Sequence, residues 1–253
     1  MVYRINSKAN TAFITASGET ETIDVAIFER ALADVEVVIE SLRDIPVDIF
    51  SILGMRNLSA FIGELFAKSL IKESGARYVG NPHQDGYPDL LLMDVHGLDL
   101  YEKIKLSNGL RDKSPFSPFA NGGLEIKATC GDVPTPAVCA KLKVAKPHIG
   151  DARIDLLKGY TWKAHHRETN NLVGILWDFL SGTPKIVAVF FGSDLESEDW
   201  GKIVQPKEGG GRTTSVSIMK KEGIGKLYKN WIAVEDDPRY INYINRYNRG
   251  HLI

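Results

Sequence analysis

Cysteine is nearly missing from this chain: Cys130 and Cys139 are the only two in 253 residues. Two thiols cannot form a disulfide framework, and neither sits in a metal-ligand spacing, so both read as reduced thiols of an intracellular, cytoplasmic protein. An excess of one charge is missing too, since 31 Lys and Arg stand against 32 Asp and Glu, for a formal net charge of −1. That balance excludes a uniformly basic nucleic-acid binder. It leaves a local basic cleft open, because binding follows the field at the contact surface rather than the sum. No apolar run approaches the length needed to span a bilayer, and no apolar stretch of signal-peptide type follows the N-terminus. Internal repeats and low-complexity tracts are absent. A soluble chain of this length buries a substantial core as one large domain, or one domain with a lobe.

The periodicity of the apolar residues supplies the elements. Val25, Phe28, Leu32, Val35, Ile39 and Leu42 recur three or four apart between Thr22 and Leu42, which predicts a helix. A second helix is expected from Ser59, a good N-cap residue, to Gly75, a good stop, with Phe61, Ile62, Leu65, Phe66 and Leu70 on its apolar side. Short apolar runs then predict strands at Asp89–Val95, Gly123–Cys130, Leu172–Phe179 and Ile186–Phe191. The interval Gly97 to Asn121 is too long for a hairpin and calls for an excursion with structure of its own. Gly209–Gly211 marks a loop, and Tyr240–Tyr247 fits a terminal helix. Helices leading into a mixed sheet give an α/β or α+β layout.

The residues that carry chemistry fall on two of these strands. In Gly86-Tyr87-Pro88-Asp89-Leu90-Leu91-Leu92 a carboxylate opens a strand just after a proline, and this is the only Pro-Asp pair in the chain. In Leu124-Glu125-Ile126-Lys127-Ala128 an acid and a lysine stand two apart, the only such triplet. Side chains alternate across a sheet, so Glu125 and Lys127 share one face while Leu124 and Ile126 point into the other layer. If the two strands are neighbours, Asp89, Glu125 and Lys127 meet, and an exposed sheet edge is the expected place. Two carboxylates suit magnesium, a hard cation that keeps several waters and takes phosphate oxygens as further ligands. An ammonium beside them can orient a water or stabilise charge on a phosphorane-like transition state. On these triplets alone, a solvated strand face with Asp89 capping a turn is the better reading.

The wider pattern shifts the balance. The stretch Phe61 to Leu92, with Gly63-Glu64-Leu65-Phe66 on a helix followed by Asn81-Pro82-His83-Gln84-Asp85-Gly86-Tyr87-Pro88-Asp89, resembles the catalytic region of type II restriction endonucleases of the PD-(D/E)XK superfamily, in its EcoRV-like form. Trp200-Gly201-Lys202-Ile203-Val204, followed by Gly209 to Ser215, resembles the recognition loop of the same enzymes. The similarity covers about half the chain. It departs from that form in a wider interval between Asp89 and Glu125, and in having Glu where the EcoRV pattern has Asp, a normal variant within the family. It implies a restriction-endonuclease-like α/β fold, with a central mixed sheet flanked by helices and a DNA-recognition lobe. It also implies catalysis by Asp89, Glu125 and Lys127, Mg2+ held by Asp89 and Glu125 with Glu64 nearby, and a homodimer that cuts double-stranded DNA at a short palindromic site. A cognate DNA methyltransferase would be the genetic partner.

Taken alone the glycine loop reads as a solvated surface loop, and it is the resemblance that favours DNA contact for the residues that follow. Gly209, Gly210 and Gly211 allow close backbone approach. Arg212 can fork onto guanine, and Thr213, Thr214 and Ser215 can reach base edges. Lys163, His165 and Arg167 lie in the basic, aromatic segment Tyr160–Asn171, which suits phosphate and base-edge contact. His165 and His166 are adjacent and would point to opposite faces of a strand, so they do not make a zinc pair. Lys202 and Lys207 form no Walker pattern with the glycines. The expected organisation is one endonuclease domain over 1–253, with a catalytic core at about 59–192 and a recognition and C-terminal part at about 193–253. Two alternatives stay open: another nuclease on the same core, acting in repair or on junctions, and a DNA-binding module whose carboxylates are structural.

Overall fold

The computed structural model describes residues 3–84, 86–131, 134–157, 160, 162–164, 171–206, 215–247 and 253. In chain order the elements begin with β1 (Tyr3–Ile5), β2 (Ala12–Ile14), β3 (Thr20–Thr22), α1 (Val25–Arg43), α2 (Ile49–Glu73), β4 (Tyr78–Gly80), β5 (Leu90–Leu92) and α3 (Val95–Leu106). There follow β6 (Gly123–Thr129), α4 (Pro136–Leu142), β7 (Lys163–Ala164), β8 (Leu172–Leu180) and β9 (Thr183–Gly192). The chain closes with β10 (Ser217–Ile218), α5 (Lys221–Lys229), β11 (Trp231–Glu235) and α6 (Pro238–Tyr247). Among the described residues seven strands form one mixed sheet in the order β1-β11-β9-β8-β6-β5-β4. The β6–β8 pair is parallel and the other pairs are antiparallel. The protein is therefore α/β, a central mixed sheet flanked by helices.

The first helix forms where its period places it. Asp24 caps it, its Oδ1 accepting from the Ala26 N–H at 2.9 Å, and Phe28, Ala31, Leu32, Val35 and Ile39 are buried. The second starts ten residues before Ser59, at an Asp48 cap, and is kinked at Gly54, whose φ of 65° lies in the left-handed region. Ser59 is thus an interior helix residue, and its hydroxyl accepts from Trp177 Nε1 at 3.1 Å. Among the described residues α2 is the one helix long and apolar enough to cross a bilayer. Here Leu58, Ile62, Phe66 and Leu70 are buried against α1 and the sheet.

The strand expected over Asp89–Val95 shortens to Leu90–Leu92. Asp94 ends it by capping α3: its Oδ1 accepts from the Gly97 N–H at 2.7 Å and from Asn121 Nδ2 at 2.9 Å. A cap that satisfies orphan helix donors outcompetes further extension of an apolar run. The 97–121 excursion is α3, a 3-10 turn at Gly109–Arg111, and a return in which Phe116 and Phe119 stack. β8 and β9 are joined by Ser181 and Gly182, both at positive φ, the geometry of a tight hairpin turn.

Each face of the sheet packs differently. Leu90, Leu92, Leu124, Ile126, Val173 and Ile175 belong to the core under α1 and α2. On the opposite face Leu172, Leu176, Ala188, Phe190 and Val234 pack with Trp162, Trp200 and residues of α5 and α6. A smaller cluster on that second face holds Leu91, Met93, Ile104, Phe116 and Phe119. β11 lies in the central sheet between β1 and β9, so the chain beyond residue 193 contributes a strand to the core.

Candidate active site

β5 and β6 are adjacent and antiparallel, with Leu90 opposite Leu124 and Leu91 opposite Gly123. Continuing that register puts Asp89 opposite Glu125. β6 can start this close to β5 only on glycine, because a Cβ at Gly123 would stand 1.8 Å from the Leu90 carbonyl oxygen. With Leu124 and Ile126 in the core under the helices, alternation turns Glu125 and Lys127 to the other face. There they lie between the two clusters just described: Leu91 on one side, and on the other Leu172 and Gly174, their partners on β8. The site lies on that face in the interior of the sheet, where Asp89 and Lys127 keep partial access to solvent. The expected sheet edge is corrected accordingly, because β6 has β5 on one side and β8 on the other.

The three side chains meet. Lys127 Nζ pairs with Glu125 Oε1 and lies 3.7 Å from Asp89 Oδ2. Each carboxylate is also held by a backbone N–H of the other strand. Ile126 N donates to Asp89 Oδ2 at 2.8 Å, and Asp89 N donates to Glu125 Oε2 at 3.2 Å. Exposure divides their roles, for 33% of the Asp89 side chain is open to solvent, 21% of Lys127 and only 5% of Glu125. Burial pushes the Glu125 carboxyl up, to about 7, with the Asp89 charge adding and Lys127 opposing. For Lys127 burial alone would lower the pKa, but the two carboxylates outweigh it and hold the ammonium charged well above neutrality.

The donor set fits magnesium. Two hard carboxylates converge, each with one oxygen fixed by a backbone N–H, and Asp89 faces solvent where waters and a phosphate can complete a coordination shell. Among the described residues no cluster of three His, Cys, Asp or Glu side chains forms, and Asp89 and Glu125 are the two carboxylates that meet here. Glu64 is not brought in. It is exposed on α2, next to Gly63, which packs on Ala128 across the face opposite to Lys127.

Of the residues expected to touch DNA, Lys163 is exposed on β7 and Ser215 is half-buried. Gly209, Gly210, Gly211, Arg212, Thr213, Thr214, His165 and Arg167 lie outside the described residues. β7 pairs with β10, Ser217 opposite Ala164 and Ile218 opposite Lys163, and Met219 N donates to the Trp162 carbonyl at 3.0 Å. Trp177 and Phe179 are core residues, as their apolar run implies.

Sequence reading misses Asn81. Its Nδ2 donates to the carbonyls of Pro88 at 3.0 Å and Phe116 at 2.9 Å, its Oδ1 accepts from His83 N, and its own N–H donates to the Asp89 carbonyl. One amide thus locks the approach to Asp89 and ties it to the 97–121 excursion. Gly86 presses on this amide and has no room for a Cβ. The Asn81-Pro82 pair signals a turn, but nothing local points to carbonyls seven and 35 residues away. Asn81→Ala should lower stability by about 1–3 kcal/mol, because the Pro88 carbonyl loses its donor while that of Phe116 keeps only the Tyr87 N–H. It should also weaken magnesium binding by loosening Asp89. Thermal melts with and without magnesium check this, and a metal-induced rise in Tm equal to wild type would refute the second part.

Comparison with known protein families, with characterised proteins and with solved structures finds no match for this chain.

Proposed function

We propose that the chain is a magnesium-dependent endonuclease, a type II restriction endonuclease of the PD-(D/E)XK kind, which hydrolyses phosphodiester bonds in duplex DNA. One observation carries the reading. The only Pro-Asp pair and the only acid-x-lysine triplet, with Asp89 and Glu125 36 residues apart, bring their side chains into contact on one face of the sheet. A structural role for these charges explains it less well. A carboxyl raised toward neutrality by burial is an expensive way to brace a strand, and such perturbed groups concentrate at functional sites.

Magnesium held by Asp89 and Glu125 supplies Lewis acidity toward a phosphate oxygen and acidifies a bound water. The protein's own residues do the rest. The Ile126 N–H fixes the Asp89 carboxylate, so its free oxygen is preoriented rather than rotating in solvent. Lys127 opposes the rise that burial imposes on the Glu125 carboxyl and presents, beside both carboxylates, an ammonium that would meet negative charge building on an attacked phosphate. Lys163, exposed on β7, is the described residue best placed for phosphate contact in this reading. A palindromic site cut on both strands calls for a two-fold symmetric homodimer, with a methyltransferase protecting the same sequence.

The test is digestion of a supercoiled plasmid of known sequence with magnesium, with end mapping. Discrete fragments sharing one short sequence at their ends support the proposal. Preference for branched over linear duplex would reassign the core to a junction or repair nuclease. Magnesium-independent binding without any cleavage would leave a DNA-binding module.

A further inference from the structure

We propose that the segment from α4 to His148 is a phosphate-backbone track, which grips duplex DNA independently of its sequence. The inference rests on the DNA reading above. From Pro134 to Gly150 the chain has no Asp or Glu, while Lys141, Lys143, Lys146 and His148 fall within eight residues. In a chain of formal charge −1 this is a concentrated exception, and fields of this kind attract polyanions. All four side chains are exposed. Among the described residues none of the three lysine ammonium groups has an ion-pair partner, whereas Lys72, Lys103, Lys105, Lys185 and Lys226 are all paired.

The backbone under these lysines is fixed rather than trailing. Thr135 Oγ1 caps α4 by accepting from the Val138 N–H at 3.3 Å. Lys143 N donates to the Ala140 carbonyl and Val144 N to the Cys139 carbonyl, closing the helix. At the far end His148 N donates to Asp151 Oδ2 at 2.7 Å, and Arg153 Nη2 donates to the His148 carbonyl at 3.2 Å. Lys143 itself sits at φ 57° and ψ 38°, the left-handed cap position where glycine is the unstrained choice. A lysine kept there against its conformational preference points to a use for its charge.

Position agrees with this. β6, which carries Glu125 and Lys127, leads into α4. Beyond α4 the chain reaches the 3-10 turn Ile154–Leu156, whose Ile154 joins the cluster on the site's side of the sheet. The track therefore lies in the chain directly after the strand that carries Glu125 and Lys127, between it and this turn. Leu142, Val144 and Ile149 are 46%, 42% and 41% exposed, so each is more than half covered, too little apolar surface to drive insertion into a bilayer.

The experiment uses the full chain in calcium, with a labelled linear duplex of arbitrary sequence titrated over a range of salt. The triple variant combines Lys141→Ala, Lys143→Gly and Lys146→Ala. Its slope of log affinity against log salt should be shallower than wild type by about two to three, one phosphate contact contributing about 0.9. Lys143→Gly alone should weaken binding while leaving Tm equal or higher, because the cap strain is relieved; a purely structural Lys143 would move neither binding nor slope. An unchanged slope in the triple variant overturns the track, as does loss of binding to phosphatidylserine vesicles with duplex binding intact. Plasmid cleavage in magnesium separates this from the nuclease reading. If slope is lost but wild type never cuts, the track stands and the nuclease falls. If wild type cuts and the slope does not change, the track falls alone. If wild type does not bind duplex at any salt, both fall.

Discussion

Asp89→Ala should reduce cleavage by about a hundred- to a thousandfold or more, the scale seen when one preorganised charge-stabilising group is removed. The fold should survive, because Asp89 is the most exposed of the three site residues and lies just before β5 rather than within it. Its Oδ2 does accept from Ile126 N, so Asp89→Asn is the closer mimic: the amide oxygen can keep that bond while the charge is lost. Duplex binding in calcium should hold or tighten in both variants, since a carboxylate beside phosphate repels it. Cleavage within about tenfold of wild type at saturating magnesium would sink the assignment. Glu125→Ala is a less clean probe. Glu125 is buried and paired with Lys127, so its removal leaves a partly buried ammonium short of a partner and should cost about 1–3 kcal/mol of stability besides activity. Glu125→Gln keeps the volume and is the better companion variant.

The parts of this fold that sequence reveals are those set by local periodicity. The α1 stripe, with Phe28, Leu32, Val35 and Ile39, is buried as its spacing requires. β6, β8 and β9 fall where apolar runs and turn residues put them. The alternation that sends Glu125 and Lys127 to one face also needs no tertiary information. What is not legible depends on partners far along the chain. β1 joins the sheet by pairing with β11, Tyr3 opposite Glu235, which no window of sequence can register. The parallel pairing of β6 with β8 makes β6 an interior strand. That is why Glu125 is buried, although a charged pair on one strand face reads as solvated. β5 is short because Asp94 and Asn121 together end it, a contact across 27 residues. The Asn81 amide is hidden for the same reason. Its role comes from two carbonyls that only the folded excursion brings near.

Lys127 tests whether the ammonium is chemical or merely a counter-ion, and the two roles predict different pH behaviour. Lys127→Ala should lower the cleavage rate by about a hundredfold or more with little change in duplex affinity. Part of that loss should be indirect. Burial already raises the Glu125 carboxyl, and Lys127 is what opposes the rise. Without it the carboxyl moves further up, a larger fraction is protonated at neutral pH, and a protonated carboxyl is a poor metal ligand. Since the ionised fraction of an acid grows with pH, raising the pH from neutrality should restore part of the magnesium affinity in Lys127→Ala. Asp89→Ala, which leaves Glu125 and its ammonium in place, should show no such recovery. Lys127→Arg should keep Glu125 ionised, and so keep metal binding, yet rescue the rate poorly. Its planar fork is wider than an ammonium, and Trp162 already lies over Gly174, the β8 neighbour of Lys127. Calorimetric magnesium titrations at two pH values, with single-turnover cleavage of each variant, separate the effects. Full activity in the arginine variant would reduce Lys127 to a diffuse positive charge. A rate in the alanine variant that returned completely at high pH would make it a counter-ion to Glu125 and nothing more.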